Sequence, residues 1–254
     1  MNENRSPGDR TVESRAEGPK TRDDRPPGDR EWVYESLIRS VPGVNASRRV
    51  AVTVQFLAFE FAVLGLGWYH GLWKAAIAGT AGVLVAVAGS LFMLRLSRGL
   101  RSDAGLDRYV GLLFGSGIEI VLGLLSFTVL IVYAFVYDPQ GTGPQLVTDL
   151  LGKRPSPAFA FVLLLIGWDV AYRIGVGWWA SVTGFWRSIT MRDRLSSSAR
   201  KRFVRLDAMT IGFASLQLLL VPILAGHPLL RIALLGHVLA VGAVSGASIL
   251  LLRD

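Results

Sequence analysis

The chain has 254 residues, is 51% hydrophobic and carries a formal net charge of +8, with a mean hydropathy of +0.43. Its apolar residues come in blocks of about twenty, which excludes an ordinary soluble domain and points to the lipid bilayer as its surroundings. It has no cysteine, so disulfide scaffolds, thiolate catalysis and cysteine-held haem, zinc or iron–sulfur centres are excluded. The positive charge lies in short stretches between apolar blocks rather than on one soluble face, which fits membrane orientation and argues against nucleic acid as a partner.

Residues 1–30 balance their acidic and basic side chains, contain Pro7, Pro19, Pro26 and Pro27, and have almost no large apolar residue. Such a stretch buries too little surface to offset its ordering entropy and reads as a disordered tail. In the next segment, 31–43, Val33, Leu37 and Val41 recur at helical spacing until Pro42 and Gly43 stop the pattern. It is too short to span a bilayer. The expectation is an amphipathic helix, either lying in the interface with Trp32 and Tyr34 at headgroup depth or docked on the inner face of the bundle.

From residue 44 to 254 the expected fold is all-α: a polytopic membrane domain of six transmembrane helices at about 50–69, 72–94, 109–137, 158–186, 208–225 and 229–252. Each reaches the ~20 residues that cross ~30 Å of hydrocarbon. Tight turns at His70-Gly71 and Gly226-His227-Pro228 suit an arrangement of three antiparallel hairpins. Arginines crowd one set of ends, at Arg48, Arg49, Arg95, Arg98, Arg108 and throughout 187–205, whereas the other set carries only Lys74, Lys153, Arg154 and Arg231. The positive-inside rule then predicts a multi-pass protein of the cell membrane with both termini cytoplasmic. The 187–205 loop, with its serines 196 to 198, either enforces that orientation or meets anionic lipid headgroups. Between the third and fourth spans, Leu146, Val147, Leu150 and Leu151 share one face of a short surface helix ahead of Gly152.

Glu60, Glu119, Asp169 and Arg173 stand out because they sit deep in the apolar spans. A mid-membrane Asp or Arg costs ~2.5–3.5 kcal/mol, and each large aliphatic residue offsets only ~0.3–0.6. Asp169 and Arg173 are four apart on one helix face and can neutralise each other. Glu60 and Glu119 each lie ten residues into their spans and should share a layer near that arginine, giving an intramembrane polar cluster. Three carboxylates then face one guanidinium, and the excess needs a proton, a bound cation or access to water. Gly111, Gly115 and Gly123 repeat every four residues with Glu119 and predict a helix-packing stripe, which Gly177 continues on the fourth span. Ala78, Gly82, Ala86 and Ser90 form a similar uncharged seam on the second span, and Gly242 with Gly246 another on the sixth.

Metalloprotease, phosphate-loop and nucleophile-elbow motifs are missing, and no nucleophile has a base at useful spacing, so an enzyme is not expected. The three histidines lack carboxylates at ligand spacing; neither a metal nor another cofactor is implied. The tail's repeated Pro-Gly-Asp-Arg and the Glu31-Trp32-Val33-Tyr34-Glu35-Ser36 segment resemble uncharacterised multi-pass membrane proteins of halophilic archaea, which have no assigned activity. The residues support an integral membrane protein whose charged cluster is either structural or a proton or ion pathway. The alternative is a membrane-embedded subunit or scaffold that uses its basic loops to dock an unknown membrane protein partner.

Overall fold

The computed structural model describes residues 48–100 and 107–253, and these form helices joined by turns and short irregular links, with no strand among them. The expected tail at 1–30 and the 31–43 helix lie outside the described residues. The long helices are α1 (Arg48–His70), α2 (Trp73–Leu100), α3 (Asp107–Gly115), α4 (Ile118–Val132), α6 (Pro157–Thr190), α7 (Ser197–Leu216) and α8 (Pro228–Arg253); α5 (Leu146–Leu151) is the short helix expected between the third and fourth spans. Among the described residues, five helical stretches are long and apolar enough to cross a membrane: Trp73–Leu100, Arg108–Gln140, Pro157–Thr190, Ser197–Leu220 and Pro228–Arg253. The first expected span is also a helix, α1, of 23 residues.

Two boundaries differ from the sequence expectation for identifiable reasons. The third span is not one uninterrupted helix, because Gly117 takes φ +68, a conformation open to glycine at no steric cost, and α4 starts afresh after it. Further along, α4 widens into a π-turn at Tyr133–Tyr137 and tightens into a 3-10 turn at Asp138–Gln140. The fifth helix begins at Ser197 rather than near 208, since the Ser196 hydroxyl caps it by accepting a hydrogen bond from the Ala199 amide at 3.2 Å. It ends as a 3-10 turn at Gln217–Leu220. The expected 187–205 loop is consequently reduced to 191–196, with α6 running through Thr190 before it and α7 following it.

Helix α6 is the centre of the molecule. At 34 residues and ~1.5 Å per residue it is about 51 Å long, more than enough to cross ~30 Å of hydrocarbon. It touches α1, α2, α3, α4, α7 and α8. In the apolar stretches of α2 and α6 half the residues are buried, against 17% in the stretch that contains α4. The remainder of α4 presents Val121, Leu124, Leu125, Val129 and Val132 outward. The turn at Gly71, with φ +67, returns the chain so that α2 packs along α1, and α8 likewise packs along α7. One end of the bundle gathers Gly99, Tyr109, Arg187 and Leu206 (the basic end); the opposite end gathers Leu72, Gly152, Tyr133 and His227.

Candidate functional site

Helix α6 carries two buried arginines, and their surroundings differ. Arg173 pairs with Asp169 one turn before it on the same helix. It also donates from Nη1 to the Asp169 carbonyl at 3.0 Å and from Nη2 to Ser90 Oγ on α2 at 2.7 Å. Gly89 makes this crossing possible: a Cβ there would lie 2.9 Å from Arg173 Cγ. Gln55, Ser90, Asp169 and Arg173 border a pocket of about 20 Å³ otherwise walled by apolar side chains, room for a single water.

Nearer the basic end, Arg187 is fully buried and donates from Nη2 to Asp207 Oδ2 on α7 at 2.7 Å. Ser248 of α8 donates to the same carboxylate oxygen at 2.7 Å, and Ser188 Oγ lies 2.6 Å from Ser248 Oγ. The guanidinium sits 4.1 Å from the centre of the Phe203 ring and 5.3 Å from that of Tyr109, within cation–π range. Gly184 leaves the space for the carboxylate, since a Cβ there would come within 2.9 Å of Asp207 Oδ1. One turn or two away the seam continues: Ser245 donates to Ser181 at 3.0 Å, and Ser181 to the Val241 carbonyl at 3.4 Å. This cluster joins α3, α6, α7 and α8, and such small hydroxyl-bearing residues are how membrane helices approach closely.

The two expected glutamates take separate places. Glu60 is half-buried and accepts at Oε1 from Thr80 Oγ1 on α2 at 2.8 Å; its buried Oε2 has no hydrogen bond, and no Lys or Arg bridges it, among the described residues. Glu119 is fully buried in the first turn of α4. The break at Gly117 turns it from a mid-helix carboxylate into one at a helix N-terminus, where the unsatisfied amides and the macrodipole favour negative charge. There α4 lies against the backbone of α6. A Cβ on Gly175 would lie 2.6 Å from the Gly123 nitrogen and 3.0 Å from the Glu119 carbonyl oxygen, and one on Gly123 would lie 2.9 Å from Tyr172 Cα. Arg173 and Gly175 point to opposite sides of α6, about 200° apart, so the guanidinium reaches toward α2 and the Glu119 backbone contacts the far side.

The expected glycine stripe therefore divides. Gly123 is at a backbone-to-backbone contact, whereas Gly111 is half-buried on α3 and Gly115 is exposed with nothing within 4 Å of a built Cβ, because the helix breaks between 115 and 118 and the four-residue period does not carry through. Gly177 makes an ordinary contact with the Phe213 ring at 3.5 Å. On α8 the buried face runs through Val241, Ser245, Ser248 and Leu252, one position off the expected Gly242–Gly246 seam, whose glycines face open space.

Toward the opposite end lies an apolar chamber of about 510 Å³ between α2, α4, α5, α6 and α8. Leu163, Ile166, Val170 and Ile174 of α6 line one side of it, and Leu146 with Leu150 of α5 line it as well. Helix α5 is held by Asp138, whose Oδ2 accepts from the Leu146 amide at 2.5 Å and whose Oδ1 lies 3.1 Å from His227 Nδ1. Tyr133 completes this buried polar knot, with its hydroxyl 3.3 Å from the same nitrogen. Among the described residues no group of three or more potential ligands converges as a metal site.

A model of a family of unknown function, DUF7530, matches residues 28–248. The chain belongs to that family. No curated protein and no solved structure matches it. The DUF7530 stretch takes in both buried arginines, their aspartates, Ser248 and the entire chamber lining.

The Arg187–Asp207 cluster is hidden in the sequence because Arg187 directly follows the interfacial-looking Trp186 and opens the arginine-rich stretch 187–205, which reads as a loop. The available signals were the lack of any helix breaker between Trp186 and Thr190 and the serine cap at 196, which puts Asp207 in the middle of a helix rather than at its start. Arg194, Lys201 and Arg205 remain exposed at that end.

Proposed function

We propose that this DUF7530 chain is an integral protein of the cell membrane with six crossing helices in three antiparallel hairpins, both termini cytoplasmic, whose intramembrane charges form a structural polar core. The pairing of each buried arginine of α6 with its own aspartate and a serine carries this reading. Paired and hydrogen-bonded charges can be held out of water; a conduction path needs groups left available to the moving ion. Support for α1 as a sixth span comes from its 23 residues and its exposed Phe61, Leu64 and Trp68. The arginine-rich ends support the orientation, and on that side Arg194, Lys201 and Arg205 would meet anionic headgroups. The resemblance to halophilic archaeal membrane proteins rests on the segment 31–36 and the composition of the tail.

A proton or ion pathway is the second reading, favoured by Glu60, whose buried Oε2 has neither a hydrogen bond nor a cation among the described residues. Glu60→Gln and Glu119→Gln in the purified, reconstituted protein separate the two. The structural reading expects a lower unfolding temperature in detergent and no pH-gradient-driven flux in proteoliposomes of either wild type or variants. Flux in the wild type that disappears in a Glu60→Gln protein of normal stability would sink it.

A further inference from the structure

We infer that the chamber between α4, α6 and α8 binds one chain-bearing amphiphile drawn from the bilayer, with a single uncharged oxygen of its head held at His237. The inference rests on the membrane placement proposed above and goes beyond the structural role of the ion pairs.

The size of the chamber is the first argument. A deep apolar recess left unfilled forfeits dispersion contacts along its lining, whether it is closed or, as here, open on one side. At about 510 Å³ the chamber falls in the range of small-molecule sites, ~300–1,000 Å³. Its lining is almost wholly aliphatic, so water would find few partners there.

Access is the second. Both α4 and α8 pack against α6 but make no extensive contact with each other. Along that gap Leu125 and Val129 of α4 and Ala233 of α8 line the chamber and are exposed, so the mouth faces sideways, toward lipid. At the other end Leu146 and Leu150 of α5 stand in the lining, and Asp138 fixes the α5 amide there. A ligand therefore enters from the hydrocarbon and must be soluble in it.

Some polarity remains in this apolar lining. Ser126 spends its hydroxyl proton on the Leu122 carbonyl at 2.8 Å. His237 lines the chamber, and its buried Nε2 has no hydrogen bond among the described residues; its ring lies 6.2 Å from that of Trp178. A buried polar atom of this kind calls for a partner. An imidazole nitrogen serves as donor or acceptor according to tautomer, so a carbonyl or a hydroxyl would suit it. Nine residues separate His237 from Pro228, which places it ~14 Å along α8 from the outer end, at mid-bilayer depth. A charged phospholipid headgroup stays at the interface; a head carrying only a carbonyl or hydroxyl can follow its chain inward. Prenylated quinones and long-chain alcohols share this chemistry.

The test uses full-length protein in detergent micelles, photolabelled with a diazirine-bearing hexadecanol or a diazirine-bearing prenylated benzoquinone, and peptide mass spectrometry to locate the adducts. The expected result is saturable labelling at one adduct per chain around Leu125, Val129 and Ala233, lost in Ala233→Trp, which plugs the mouth. Should that variant fail to fold, Val129→Trp plugs it from the other wall. His237→Phe should weaken labelling by about tenfold, the worth of one buried hydrogen bond. Competition by unlabelled hexadecanol and unlabelled quinone tells which head is preferred. Labelling scattered over the lipid-facing surface, labelling unchanged by both plugs, or an undiminished signal in His237→Phe overturns the inference. A chain recovered without detergent in the aqueous fraction would instead overturn the membrane placement.

Discussion

Helix α6 holds two arginines in similarly dry surroundings, yet one is neutralised within its own helix and the other across the bundle. Asp169 and Arg173 are one turn apart, so their pairing is complete as soon as α6 coils, and Ser90 then ties the guanidinium to another helix. Arg187 and Asp207 are on different helices, with Ser248 on a third and Tyr109 on a fourth closing around them. The first pair lowers the cost of placing one charged helix in lipid. The second exists only after α3, α6, α7 and α8 have come together, so its energy belongs to the assembled bundle. On the membrane placement proposed above, the same ion-pair chemistry would serve insertion at one site and tertiary structure at the other.

That contrast breaks most easily at the second pair. Asp207→Asn leaves the fully buried Arg187 without its counter-charge, and the expected loss is ~3–5 kcal/mol, seen as a large fall in unfolding temperature in a fixed detergent. The double variant Asp207→Asn, Arg187→Met should recover a good part of that loss, because both charges leave together. If Asp207→Asn unfolds like wild type, the cross-bundle pair is not what holds the basic end.

A smaller effect is expected where no charge is involved. Gly175→Ala sets a methyl 2.6 Å from the Gly123 nitrogen, and backbone cannot rotate away as a side chain can. Overpacking of this kind costs ~1–3 kcal/mol. Gly246→Ala, whose Cβ would meet nothing within 4 Å, is the control and should unfold with wild type. Equal losses in the two would mean that the α4–α6 contact is slack.

The difference between the two arginines also explains what could be read from sequence. Periodicity and length are local, and they placed the apolar helices, the α5 helix and the Asp169–Arg173 face. The φ of Gly117 is local too, but a lone glycine in an apolar run does not announce a break, so the four-residue stripe through Gly111 and Gly115 reads on past the point where the helix stops. Asp207 lies twenty positions from Arg187 and Ser248 a further forty-one, and no spacing rule links them. The chamber is more remote still, since it is the space left where α4 and α8 pack on α6 without extensive contact with each other. What sequence supplied was the cost of each charge; which helix met that cost depended on packing.

Asp169→Asn sharpens the comparison because its two effects should separate. In the folded protein Arg173 keeps the Ser90 hydroxyl and the Asp169 carbonyl as partners, and an Asn side chain still offers an oxygen. These bonds, at 2.7 and 3.0 Å, are shorter than the 3.4–3.5 Å contacts left to Arg187 once its aspartate is gone, so the fall in unfolding temperature should be below that of Asp207→Asn. Insertion is another matter. The nascent α6 has no neighbour to consult, and the variant must enter lipid with an arginine whose counter-charge is gone, at up to ~2.5–3.5 kcal/mol near the centre. A topology assay with a reporter after α6 should show a larger uninserted fraction for Asp169→Asn than for Asp207→Asn, the reverse of their order in detergent unfolding. The same order in both assays would mean that the pair within α6 is as much a part of the assembled bundle as the pair that crosses it.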